Sequence, residues 1–204
     1  MKNVIKLIFL FLFIQSLNAQ SFEIGGEAGY GKTTFDDKIR VSNLFGNSAG
    51  NNIICGLTCT LKPKITDLTF NTGLFYQRKG NSPVFEFFKI PLGINVEPGK
   101  KVKFLIGGGL YMSYLFMISG SPDPEINSSK YDFLLGLCLR SGIKYQITTQ
   151  WNIYLQLQVD FDLTPTYRES IPNQLGGSNY QDIRAYDYTI NFGFKYLLKR
   201  KIKK

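Results

Sequence analysis

Histidine is absent from all 204 residues, which removes the commonest metal ligand and the usual general base at neutral pH. A Ser-His dyad is therefore excluded. Cysteines number three, an odd count that cannot complete a disulfide framework. Cys55 and Cys59 stand in one extended stretch, about 13 Å apart at roughly 3.3 Å per residue. A disulfide needs Cα atoms within about 7 Å. They share an apolar face with Ile53, Leu57 and Leu61 and serve there as small hydrophobes, while Cys138 falls on the opposite face of its own strand. Long apolar runs are also missing. The one unbroken run, Leu7 to Ile14, is far below the roughly twenty residues a membrane-spanning helix needs.

That short run has a different use. Lys2 and Lys6 precede it and Ala19 follows it, so residues 1–19 have the form of a cleaved secretory signal peptide. The mature chain is expected to start at Gln20 or Ser21, and with no Cys after the cut a lipid anchor is not expected. Loss of the leader lowers the net charge of +9 by two. Part of the remaining excess is a basic tail, residues 199–204, Lys-Arg-Lys-Ile-Lys-Lys. Nucleic-acid binding would call for basic residues interleaved with stacking aromatics on one surface, and export argues against it. The tail reads as solvated or as lying near anionic headgroups.

What the chain has in abundance is alternation. In Trp151 to Leu163 every odd position is apolar and every even one, Asn152, Tyr154, Gln156, Gln158, Asp160 and Asp162, is polar or amphipathic. Period-2 alternation sends successive side chains to opposite faces of a strand, and thirteen residues is more than twice the usual strand length of about five or six. The same pattern recurs over 22–31, 52–62, 67–79, 84–97, 101–117, 130–145 and 183–198. Between these eight stretches lie long polar loops at 32–51, 118–129 and 165–182, and short turns elsewhere, such as Pro63 to Thr66 and Pro98-Gly99. Every long connection is odd-numbered, so in an up-and-down meander all of them emerge at one end. Short turns at one end and long loops at the other characterise an outer-membrane barrel. The fold expected is all-β: an eight-stranded antiparallel up-and-down transmembrane β-barrel over residues 20–198, in outer-membrane lipid.

A soluble, lipocalin-like barrel with its apolar face around a small molecule is the alternative. Three features favour lipid outside. The polar rows mix glycines with charges of both signs, which suits a narrow lumen packed with side chains. Aromatics sit near strand ends (Tyr30, Tyr76, Tyr145, Trp151, Tyr186, Tyr196) as interfacial girdles do. Several strands are long enough to cross about 30 Å at a tilt. Gly-x-Trp, usual near the first lipocalin strand, is also absent there. The interior is expected to hold a structural charge network of Glu27, Lys103, Asp132, Arg140, Lys144, Asp160, Asp162 and Lys195, since buried charges of one sign are costly.

Lys89-Ile-Pro-Leu-Gly-Ile-Asn95, Gly107-Gly-Gly-Leu-Tyr-Met-Ser113 and the long alternating seventh strand together resemble the PorT-like outer-membrane β-barrel family, over essentially the whole mature chain. The resemblance implies a barrel in the outer membrane and, by analogy with PorT, an accessory part in a secretion or gliding apparatus. Asn191, Gly193, Tyr196 and Leu198 resemble the assembly signal read by barrel-assembly machinery, here followed by six further residues.

Two motifs invite chemistry and are declined. Gly26-Glu-Ala-Gly-Tyr-Gly-Lys-Thr33 fits the P-loop pattern, but that chemistry needs a buried strand, a phosphate-cradling loop and a helix, whereas these residues lie within an alternating strand. Asp160 with Asp162, and Glu23 with Glu27, each share a face as a catalytic pair would, yet barrel-filling ion pairs account for both. No enzymatic activity, cofactor or metal is expected. Protein partners would be met through the three long loops.

Overall fold

The computed structural model describes residues 19–36, 50–63, 67–82, 84–120, 133–172 and 178–199. Most of the expected leader (1–18), the segments 37–49 and 121–132 with Asp132, and tail residues 200–204 lie outside the described residues. The strands are β1 (Ala19–Asp36), β2 (Gly50–Pro63), β3 (Leu68–Lys79), β4 (Val84–Val96), β5 (Val102–Ser119), β6 (Phe133–Gln146), β7 (Trp151–Asp162), β8 (Tyr167–Pro172) and β9 (Ser178–Lys199). From β1 to β7 each strand pairs antiparallel with the next; β7 then pairs with β9, and β9 pairs back with β1. Eight strands thus close on themselves and leave no free edge, while β8 stands outside the ring.

The alternation decides which side faces where. Outward rows carry Leu57, Ile106, Phe133, Leu139, Leu157 and Phe192, all largely exposed. Inward rows carry Asn71, Gln77, Lys89, Lys144, Gln158, Asp160 and Asp187, all buried. Polar inside and apolar outside is the reverse of a soluble protein and suits a wall in lipid. The outer aromatics form contacts near the strand ends: Trp151 with Tyr196 at 5.0 Å and Phe161 with Tyr186 at 5.7 Å between ring centroids. Cys55 is exposed on the outer wall, Cys138 is buried in the lumen, and all three thiols are free.

The structure corrects several boundaries. The stretch 165–182, expected as irregular loop, contains a hairpin in which Tyr167–Pro172 pairs with Ile183 back to Ser178. The last strand therefore begins at Ser178, five residues before the expected Ile183. The β1–β9 ladder ends at Asp36↔Arg184, so this ribbon leaves the wall, and a ribbon clear of lipid needs no apolar row to mark it. Likewise β1 runs on to Asp36 and β2 starts at Gly50, which shortens the first expected loop. Gly26 to Thr33 lie inside β1, paired on both sides, a geometry in which no phosphate loop exists. Pro91, which has no N–H to give, sits where the β3–β4 ladder is interrupted between Thr72↔Leu92 and Phe75↔Lys89.

Candidate functional site

The lumen is the place where chemistry-bearing side chains meet, and it is filled in layers. Near the turn end, Lys144 Nζ bridges two carboxylates, donating to Glu23 Oε2 at 2.6 Å and Glu97 Oε2 at 3.0 Å. Asn152 also donates to Glu23, and Thr69 to Glu97. Lys195 Nζ donates to the Thr60 hydroxyl at 2.9 Å, and that hydroxyl donates to Asn71 Oδ1 at 2.8 Å.

The middle layer centres on Glu27, whose carboxylate accepts from Tyr154, Gln156 and Asn191 at 2.6, 2.9 and 2.8 Å. Arg140 Nε donates to Gln158 Oε1, and Gln158 Nε2 donates in turn to Asp160. Lys89 closes this chain against Asp160 at 2.5 Å, its ammonium 4.0 Å from the Tyr111 ring centroid.

Toward the loop end, Lys79 Nζ lies between Asp162 and Asp187, at 3.1 and 3.2 Å. Tyr111 and Thr166 donate to Asp162 as well, and Thr33 and Gln77 donate to Asp187. Above this lattice sits an apolar stopper of Phe85, Phe87, Leu115 and Leu134, with Phe35 and Ile118 against it. A bulge between Glu86 and Phe87 shapes the wall here, leaving Phe116 and Met117 both exposed on the outside.

Of the expected network, Glu27, Arg140, Lys144, Asp160, Asp162 and Lys195 all face the lumen, and Lys103 is half-buried at its turn end. Their partners differ from the expectation. Asp160 and Asp162 pair with Lys89 and Lys79 rather than with Arg140, Lys103, Lys144 or Lys195. Glu23, Lys89 and Asp187, from the expected polar rows, join the layers, and Lys79, Glu97 and Tyr111 complete them without having been expected there. Their parity carried the signal: Lys79 is in phase with Gln77, and Tyr111 with Gly107 and Gly109.

The candidate assembly signal divides by face. Asn191 and Gly193 point inward, while Tyr196 and Leu198 lie on the outer wall. A Cβ on Gly193 would collide with the Tyr154 ring, and one on Gly136 with the Tyr111 ring. Both glycines are thus seats for aromatic rings reaching over from the neighbouring strand.

The lumen carboxylates are fully engaged, although Asn52 Nδ2, Gln77 Oε1, Ser113 Oγ, Thr189 Oγ1 and Asn191 Oδ1 are buried without a hydrogen-bond partner. Asp160, Asp162, Asp187 and Glu27 each accept at least two donors. No pair of them opens onto a cleft where one could act as acid and the other as base.

No known protein family matches the chain, and no curated protein matches it. Solved structures do. The outer membrane protein OprG from Pseudomonas aeruginosa superposes with a TM-score of 0.56 at 15% identity, over 91% of this chain and 99% of that one. The E. coli outer membrane protein W gives 0.54 at 15% identity, over 89% and 99%. The outer membrane enzyme PagL gives 0.50 at 13% identity, over 83% and 97%. At such identities the likeness is one of fold: this chain has the closed eight-stranded barrel of outer-membrane proteins. PagL shows that the fold also hosts an enzyme, so activity has to be argued from the site. None of these matches shows membership of the PorT-like family.

Proposed function

We propose that the chain is a non-enzymatic outer-membrane protein with a closed lumen, which works by presenting its loop end to partners outside the cell. The observation that carries this reading is the filled interior. Three ionic layers and an apolar stopper occupy the bore, so the barrel acts as a rigid mount. The mounted element is the β8–β9 ribbon, whose six residue pairs beyond the wall extend roughly 20 Å at about 3.3 Å per residue. The lipid-facing outer wall and the leader-like residues 1–19 support export to the outer membrane, with Asn191, Gly193, Tyr196 and Leu198 offered to the assembly machinery on the way.

Two measurements test the proposal. An epitope inserted within 173–177 should be detected by antibody on intact cells, and the purified barrel should show no steady conductance in a planar bilayer. Failure of the tag to label would put the ribbon on the other side of the membrane. Stable openings would mean that the lumen is not closed. The resemblance to PorT-like barrels adds one partner class, the secretion machinery of the envelope. If that is the partner, deleting the gene changes the secreted protein profile; an unchanged profile removes it.

A further inference from the structure

Three adjacent strands of the outer wall, β7, β9 and β1, present their side chains in rows. Leu157 faces Ile190, which faces Tyr30; one step nearer the loop end, Val159 faces Tyr188, which faces Lys32. The next step brings Phe161 and Tyr186 into ring contact. A groove of about 600 Å³ runs over the first two rows, and its surface is almost wholly apolar. Small-molecule sites occupy roughly 300–1,000 Å³. Along β1 the groove reaches from Tyr30 to Thr34, about 13 Å at roughly 3.3 Å per residue.

Among the described residues that line the groove, Lys32 alone is charged, and it stands in the row nearer the loops. It is exposed on the outer wall just inside the Phe161–Tyr186 contact. An ammonium group at that depth has to stretch toward the interface or meet an anion. Its partners across the sheet are Tyr188 and Asn51, and its described diagonal neighbours are Tyr186, Ile190 and Ile53. None of these carries a carboxylate. Arg78, another exposed cation on the loop side of the outer wall, lies directly opposite Glu86 instead.

We infer that this groove holds an anionic phospholipid of the loop-side leaflet, with one acyl chain over Leu157 and Ile190 and its phosphodiester at Lys32. The order of the rows sets the orientation. A lipid of that leaflet carries its charge at the interface and its chain toward the midplane, as the groove carries its lysine and its apolar rows. A lipid of the opposite leaflet would bring its chain end, not its headgroup, to the lysine. One ammonium matches the single negative charge of a phosphodiester, and the bond between them is charge-assisted. The inference takes the outer wall as the one in lipid and is independent of what the β8–β9 ribbon binds.

The test is native mass spectrometry of the refolded full chain in an uncharged detergent. The probe is dimyristoylphosphatidylglycerol, and dimyristoylphosphatidylcholine, with the same chains and no net charge, is the comparison. The wild type should retain a single phosphatidylglycerol at least about fivefold more tightly than phosphatidylcholine, as one exposed charge-assisted bond allows. Lys32→Gln, which removes a charge from the lipid-facing wall and leaves the barrel folded, should abolish the preference. Val159→Trp, which fills the groove and keeps the lysine, should weaken both lipids at least about fivefold; Val159→Phe takes its place if that variant does not fold. Arg78→Gln should leave binding unchanged. Retention of the folded-form gel mobility checks that each variant is a barrel. No preference in the wild type, a preference that survives Lys32→Gln, or an equal loss in Arg78→Gln overturns the headgroup site. Binding undiminished by filling at 159 overturns the groove.

Discussion

Leu157→Arg asks the barrel which of its faces meets lipid. Leu157 lies near the middle of β7, paired with Ser141 and Ile190, and is 56% exposed on the outer wall. On this side the apolar band is bounded by Trp151 and Tyr196 toward the turns and by Phe161 and Tyr186 toward the loops. Leu157 falls between them, close to the midplane, where an arginine on the lipid face costs about 2–4 kcal/mol. That is roughly a 30- to 700-fold loss in the folding equilibrium constant. The neighbouring residue supplies the control. Gln156 points into the lumen and donates to Glu27 Oε1 at 2.9 Å. An arginine there overpacks the bore by about 1–3 kcal/mol but gains a charge-assisted bond of about 1.5–3 kcal/mol to Glu27. The two terms nearly cancel, so Gln156→Arg should be much milder. Equilibrium refolding from urea into phosphatidylcholine vesicles measures both. Trp151, the only tryptophan, stands on the outer wall at a strand end and reports insertion through its fluorescence. Equal costs at 156 and 157, or a larger one at 156, would refute the assignment of faces.

The ionic lattice makes further demands on the same assay. Lys79→Met leaves Asp162 and Asp187 buried without their cation and should cost about 3–5 kcal/mol. Adding Asp162→Asn and Asp187→Asn should recover most of that, and no recovery would mean the lysine acts by packing alone. Gly193→Ala puts a methyl group where the Tyr154 ring rests and 2.7 Å from the Gly26 carbonyl oxygen and should cost about 1–3 kcal/mol by overpacking; Tyr154→Leu in the same chain should relieve the part due to the ring and leave the backbone clash. In detergent solution a thiol reagent should modify the exposed Cys55 well before the buried Cys138, and the opposite order would again mean the faces are exchanged.

The faces were legible in the sequence because parity is a local property. Once Gln156, Gln158 and Asp160 are seen to alternate with Leu155, Leu157 and Val159, one residue fixes the side of all the others, and a slip of one would turn every apolar group inward. Partners are not local. Lys89 and Asp160 are 71 residues apart, and Lys144 and Glu23 are 121 apart. Which cation meets which carboxylate depends on the stagger of strands around the ring, and a slip of two residues would keep every face while exchanging the partners. The bulge at Glu86/Phe87 was equally hidden, since it sets two neighbouring apolar residues, Phe116 and Met117, on one side. The ribbon at 167–183 gave no signal because a strand outside lipid has no face that must be apolar.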